Sequence, residues 1–195
     1  DDGPDLVALN ALVTKLRNVN RRLRALYVAP DFANPSGHLM SLEARESLVT
    51  FAEENDLFLL EDTTYRFTAR DEDKHPPLSA FKGTKNVIMV GSFAKTIAPG
   101  LRVGYLVTNA DFVSADGVKK PLATLIASLK SMLSLNTPPI CQAIVGGLLI
   151  DNGLTVDQIV SRKRQLYQRN LTLLDTELRR AFGSPAANAN GVSWR

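Results

Sequence analysis

Asn86-Val87-Ile88-Met89-Val90-Gly91-Ser92-Phe93-Ala94-Lys95-Thr96-Ile97-Ala98-Pro99-Gly100-Leu101-Arg102 runs from a β-branched apolar segment into a turn-rich one. The first half reads as a buried strand, the second as the loop at its carboxyl end. A lysine so placed is expected to be desolvated, which makes its amine easier to deprotonate and able to form an imine with an aldehyde. Ser92 lies three residues before Lys95 and Arg102 seven after it. A hydroxyl and a planar guanidinium fork together suit a phosphate. An imine-forming lysine with a phosphate grip describes pyridoxal 5'-phosphate chemistry. An ordinary surface lysine is the competing reading, and this segment alone leaves both open.

Two upstream segments narrow the choice. Leu26-Tyr27-Val28-Ala29-Pro30-Asp31-Phe32-Ala33-Asn34-Pro35-Ser36-Gly37 is a short apolar strand entering a turn. Leu57-Phe58-Leu59-Leu60-Glu61-Asp62-Thr63-Thr64-Tyr65 is a second strand, delivering Asp62 at its end and Tyr65 three residues on. Ligands of open α/β sheets sit at the carboxyl ends of strands. Separately, each group has a plainer role, as turn former, cap or packed aromatic. Their coincidence with the lysine segment points to one site.

The set resembles the class I/II aminotransferase family, which has the aspartate-aminotransferase fold. It is most similar to the branch holding 2-aminoadipate aminotransferases and the aminotransferase-like domains of bacterial regulators. Pro30 to Gly37, Glu61 to Tyr65 and Gly91 to Tyr105 carry the resemblance. It implies a pyridoxal 5'-phosphate enzyme moving an amino group between an α-amino acid and a 2-oxo acid. Lys95 would form the Schiff base and shuttle the proton, and Asp62 would pair with the pyridinium nitrogen. Tyr65 and Asn34 would bind the phenolic oxygen, and Ser92 and Arg102 the phosphate. Lys95, Asp62 and Tyr65 are thus the catalytic candidates. Asn34, Asp62, Tyr65, Ser92, Lys95 and Arg102 are the cofactor-binding ones. The family's frequent second serine before the lysine is Ala94 here, and Thr63-Thr64 replaces an acidic or proline-containing pair.

The resemblance also implies a homodimer in the cytoplasm. Its alternatives are another reaction of the same cofactor on an amino acid (lyase, decarboxylase or oxidase) and the cofactor-sensing domain of a transcription regulator. Residues 1–154 read as part of a cofactor-binding large domain, 155–182 as an interdomain helix and 183–195 as the start of a smaller C-terminal domain. The chain thus reads as the middle of such an enzyme, with the phosphate loop and ring-stacking aromatic upstream. The arginine for the substrate carboxylate would lie downstream.

Composition is that of an ordinary globular soluble protein. The 195 residues are 45% hydrophobic and 22% charged, enough for one domain with a core of its own. Net charge is +3, too balanced to argue for nucleic acid, and the basic residues between Arg162 and Arg180 read as a solvated helix face. The lone Cys141 excludes an internal disulfide and suits a reducing compartment, and its apolar run is too short for a bilayer. His38 and His75 form no metal-ligand spacing with it, so no metal is expected. A phosphate-binding P-loop needs Gly before Lys-Thr, where this chain has Ala94, and no two-glycine dinucleotide fingerprint occurs.

Periodicity predicts a helix over Asp5 to Arg24, a strand over Ala25 to Val28, and a helix capped by Ser41 over Glu43 to Glu53. Strands are predicted at Leu57 to Leu60, Val87 to Val90 and Val103 to Val107, with an exposed loop from Arg66 to Thr84. Asp111 to Leu135 reads as helical runs broken at Pro121, and Pro138-Pro139 as a helix opening. Thr155 to Phe182 reads as one amphipathic helix whose buried stripe holds Ile159, Leu166, Leu173 or Leu174, and Leu178. Gly183-Ser184-Pro185 would be its exit turn and Val192 to Arg195 the start of a strand. Strands separated by helices favour an α/β fold with a mainly parallel sheet flanked by helices.

Overall fold

Three short apolar segments pair in parallel because one helical crossover and one built of 3-10 turns carry the chain back between them. In the computed structural model, which describes residues 2–81 and 84–183, they are β1 (Ala25–Val28), β2 (Phe58–Asp62) and β3 (Val87–Ser92). β4 (Gly104–Thr108) adds to β3 in the antiparallel sense, giving the order β1-β2-β3-β4. The register sets Tyr27 beside Leu60, Asp62 beside Val90 and Ser92 opposite Gly104. All three strand ends that carry candidate residues therefore emerge at one edge. The mainly parallel sheet flanked by helices is the fold that the sequence predicts.

Helix α1 (Leu6–Asn18) starts where the Asp5 carboxylate accepts the backbone N–H groups of Val7 and Ala8 at 2.9 and 3.0 Å. It stops short of the predicted Arg24 because Asn20 turns left-handed, at φ 54°, and Arg21 N–H closes back on the Leu16 carbonyl. Helix α2 (Leu42–Glu54) is capped by Ser41, whose hydroxyl accepts Ala44 N–H at 3.2 Å. Leu48, Val49, Phe51 and Ala52 on α2 pack with Val13, Val28, Leu57, Leu59 and Val87 into the core. Each such leucine or phenylalanine stabilises the fold by about 1.5–3 kcal/mol.

Three expectations need correction. The segment 66–84 is not simply an exposed loop: it holds three turns of 3-10 helix, and Leu78 is fully buried. A buried carboxylate, Glu61, draws it inward by accepting Leu78 N–H at 2.7 Å and Ser79 N–H at 3.3 Å. Residues 111–121 form a hairpin, β5 (Asp111–Val113) with β6 (Lys119–Pro121), turned at Asp116-Gly117 with Gly117 at φ 79°. Pro121 ends that hairpin and caps α3 (Leu122–Ser134) rather than breaking a helix.

Helix α4 (Pro139–Asp151) opens on its proline as predicted. The final helix, α5 (Asp157–Phe182), starts two residues after the predicted Thr155 and ends where predicted, but its stripe is only partly covered: Ile159 and Leu178 are half-buried, while Leu166, Leu173 and Leu174 are 50, 61 and 57% exposed. The described residues offer α5 the loop at Arg66–Thr68 and the turn around Thr96, which reach its first turns, where Val160 is buried. The predicted exit turn at 184–185, the strand at 192–195 and most of the smaller domain lie outside the described residues. Among the described residues no helix is long and apolar enough to cross a membrane.

Candidate active site

Alternation along β2 decides which acid faces the site. Leu59 and Glu61 point into the core beneath the helices, so Asp62 points to the opposite face. Its Oδ1 accepts Thr64 N–H at 2.8 Å, and its Oδ2 accepts the hydroxyl of Tyr27 from β1. Burial pushes the Asp62 carboxyl up, but the hydrogen bonds from Thr64 and Tyr27 outweigh it and leave the group below its ordinary value. The Tyr27 phenol, donating a hydrogen bond to that carboxylate in partly desolvated surroundings, is pushed up to about 12. The pair is therefore a neutral phenol holding a carboxylate in its ionised form at neutral pH.

Tyr27, Ala29, Asp31, Asn34, Asp62 and Tyr65 line a cleft of about 310 Å³. Three roomier clefts of about 590 to 710 Å³ lie elsewhere, beside α5, beside Gly3 and among the arginines that follow α1. Size does not find the site; the convergence of donors and acceptors does.

Behind this cleft the backbone is fixed by a buried cation. The fully buried Arg45 donates to Asp31 Oδ1 at 2.7 Å and to the carbonyls of Pro30, Met40 and Pro76 at 2.9, 3.0 and 3.2 Å. Arg66 reaches the other Asp31 oxygen at 3.3 Å. The strand-to-turn corner ahead of Asn34 is thereby locked from within, while Asn34 stays exposed in a turn closed between Ala33 and His38.

The second part of the site is the turn after β3. Phe93 N–H donates to the Val103 carbonyl at 3.0 Å, Ile97 N–H to the Phe93 carbonyl at 2.8 Å, and Ala94 N–H to Ser92 Oγ at 3.1 Å. Lys95 rides on this turn with Nζ 5.7 Å from the centroid of the Tyr65 ring. It is exposed rather than desolvated as expected, because it lies three residues past the strand end, where no apolar layer covers it. Arg102 stands at the same end, two residues outside the Ser92–Gly104 pair, with left-handed φ of 55° and Nη1 donating to the Pro99 carbonyl at 3.4 Å.

Of the predicted residues, Asn34, Asp62 and Tyr65 share one cleft, and Lys95 joins them through Tyr65. Ser92 and Arg102 sit at the same edge but outside that cleft. Sequence reasoning misses Tyr27, Asp31 and Arg45. Two-residue periodicity gives Tyr27 the face opposite Val28, which is the available signal for it. A buried arginine inside a helix has no comparable sequence signature.

Residues 3–194 match the profile of the family described as aminotransferase class I and II. The chain is 41% identical over 175 residues to the (S)-3,5-dihydroxyphenylglycine transaminase of Amycolatopsis orientalis, covering 88% of this chain and 39% of that protein. It is 31% identical over 185 residues to the 2-aminoadipate transaminase of Thermus thermophilus, covering 91% of this chain and 42% of that one. Among solved structures, the α-aminoadipate aminotransferase of Thermus thermophilus, complexed with N-(5'-phosphopyridoxyl)-L-leucine, superposes with a TM-score of 0.73 at 30% identity. That likeness covers 92% of this chain and 42% of the solved one. The chain thus spans about 40% of the length of the relatives it matches.

Proposed function

This chain belongs to the aminotransferase class I and II family, and from that premise we propose that it transfers an amino group between an α-amino acid and a 2-oxo acid, with pyridoxal 5'-phosphate as cofactor. The observation carrying the reading is the juxtaposition at the sheet edge. The Lys95 amine lies 5.7 Å from the ring of Tyr65, and Tyr65 shares its cleft with the ionised Asp62.

The donor set fits the cofactor. Its ring nitrogen calls for an anion, its phenolic oxygen for donors, its aldehyde for an amine and its phosphate for a cation with a hydroxyl. Asp62, Tyr65 with Asn34, Lys95, and Arg102 with Ser92 are those groups. Asp62 keeps acceptor capacity after binding Thr64 and Tyr27, because a carboxylate offers about four lone-pair positions. The cofactor, when bound, supplies an electron-withdrawing ring that takes up electrons released at the substrate Cα. Lys95 Nζ would remove the Cα proton as general base and deliver it as general acid to C4', the carbon of the cofactor's former aldehyde. Tyr27 holds the Asp62 carboxylate in place and in its charged form.

The relatives' named substrates are α-amino acids, and their transaminase names support amino transfer over lyase, decarboxylase or oxidase chemistry. The proposal includes a homodimer in the cytoplasm. It also divides the chain into a large-domain portion at 1–154, α5 as the interdomain helix, and the opening of a smaller domain at 183–195.

Full-length protein given pyridoxal 5'-phosphate should turn yellow. Borohydride should then fix the cofactor to the peptide bearing Lys95, identified by mass spectrometry. Lys95→Ala should lose that adduct and slow turnover roughly a hundredfold to ten-thousandfold. A colourless protein with no fixed adduct defeats the reading. Oxygen consumption without any need for a 2-oxo acid would replace transfer by oxidation.

A further inference from the structure

The turn that carries Lys95 ends in a defined hydrogen-bonding deficit. Residues 93–97 make one helical turn, closed by Ile97 N–H on the Phe93 carbonyl at 2.8 Å. The chain then leaves the helical path at Ala98, so the carbonyls at the end of that turn have no helical N–H groups ahead of them. One side chain answers all three. Lys163, in the second turn of α5, places Nζ 2.7 Å from the Thr96 carbonyl, 3.0 Å from that of Ile97 and 3.5 Å from that of Lys95. An ammonium has three donors, and here each has a main-chain acceptor.

Among the described residues Lys163 makes no ion pair, so the main-chain carbonyls are the partners its ammonium has, whereas the neighbouring Arg164 also pairs with Asp157. Its positive end also meets the negative end of a turn dipole, the favourable orientation. The next residue, Arg164, repeats the device on the other side of the site: its Nε donates at 2.9 Å to the Phe67 carbonyl, in the loop that follows Tyr65. Two adjacent residues of one helix thus grip the turns behind both Lys95 and Tyr65.

We propose that Lys163 is a positioning residue for Lys95, fixing the turn that aims its amine, and that α5 sets the geometry of the Lys95 and Tyr65 turns together. The inference rests on the reading of Lys95 as the imine-forming amine. It adds that the amine's placement is held from a distant helix rather than by its own loop.

The test uses full-length protein in two states. With the cofactor stripped, hydrogen exchange of the amides at 93–98 is compared with that of α2. Lys163→Met should speed exchange at 93–98 by at least about tenfold and leave α2 unchanged. Lys163→Arg, which keeps the donors, should restore most of the protection. With pyridoxal 5'-phosphate bound, the pH midpoint of the visible absorption reports on the Lys95 nitrogen. It should shift in Lys163→Met and return in Lys163→Arg. Simple anchoring of α5 would change exchange without moving that midpoint.

Unchanged exchange at 93–98, or an unmoved midpoint, overturns the proposal. If Lys163→Met also loses protection in α2, Lys163→Gln decides the same two readouts with fewer donors. A wild-type protein that traps no cofactor defeats the reading of Lys95 instead, while the exchange result still decides whether Lys163 holds the turn.

Discussion

The sheet with its two leading helices and the three later helices are both rich in leucine, isoleucine and valine, yet only the first hides them. In the first region Leu48, Leu57, Leu59 and Leu78 are at most 2% exposed. In the second, Leu133, Leu135 and Leu154 are 87, 84 and 77% exposed, and Val145, Val156 and Val160 are its buried apolar residues. Composition does not make a core; two faces that meet do. β2 and β3 meet α1 and α2 across a shared apolar surface, and that surface also encloses Arg45, Asp31 and Glu61 with their partners. The site's acid and its asparagine turn are built on the region that packs on itself. Lys95 depends on a graft from the other region.

The hardest blow to the self-packed region is Arg45→Met. It leaves the buried Asp31 carboxylate with Arg66 as its remaining cation and takes a donor from three carbonyls, and removing one partner of a buried ion pair costs about 3–5 kcal/mol. Denaturant titration of the chain should show that loss, and a change under about 1 kcal/mol would mean that water reaches Asp31. Leu59→Ala follows at about 2–5 kcal/mol, because its side chain is enclosed on the core face of β2. A cost no larger than that of an exposed leucine would erase the contrast between the regions.

Acid tests the contact between them. Arg164 donates to the Asp157 carboxylate at 2.6 Å and holds it down at about 2, against an ordinary 3.8, with help from Lys74 and Thr155. The folded value lies below the unfolded one, so the contribution is complete above pH 3.8 and fades as pH falls through about 2. NMR shifts of the first turn of α5 should follow that window, and a midpoint at the ordinary carboxylate value would remove Asp157 from the contact. The effect is small, since the Asp157 side chain is 51% exposed.

Leu133→Ala is the smallest change, within about 0.5 kcal/mol in this chain. If the same substitution costs several times more in the full-length protein, measured by thermal unfolding, the helical face is covered there and the contrast belongs to the chain alone.

Most of the sheet is legible in the sequence because β-branched runs and turn residues act locally. The pattern places Ala25 to Val28 to the residue, marks Ser41 as a cap, and puts Asp62, Tyr65 and Asn34 at one edge, where they lie. What escapes are effects of tertiary partners. The hairpin at 111–121 is decided by one Asp-Gly turn amid helix-compatible residues. The inward course of the 66–84 segment depends on Glu61, which lies earlier in the chain and has no signal near the segment itself. An apolar strand predicts a dry setting for Lys95, but the turn carries it beyond that cover. Lys163 is separated from the carbonyls it binds by more than sixty residues, and nothing in an amphipathic pattern distinguishes it from a solvated lysine.

Arg102 has a consequence for how this position can drift. Its backbone lies at φ 55°, where glycine and asparagine are comfortable and β-branched residues are strained. Single-step replacements therefore divide sharply: glycine relieves the backbone but deletes the cation, lysine keeps a charge without the planar fork, and isoleucine or threonine loses on both counts. A random-substitution library scored once for folded yield and once for cofactor retention should rank this position oppositely in the two screens. Glycine would rise in the first and arginine in the second, so a lineage that relaxed its need for a phosphate would be expected to lose the arginine to glycine early.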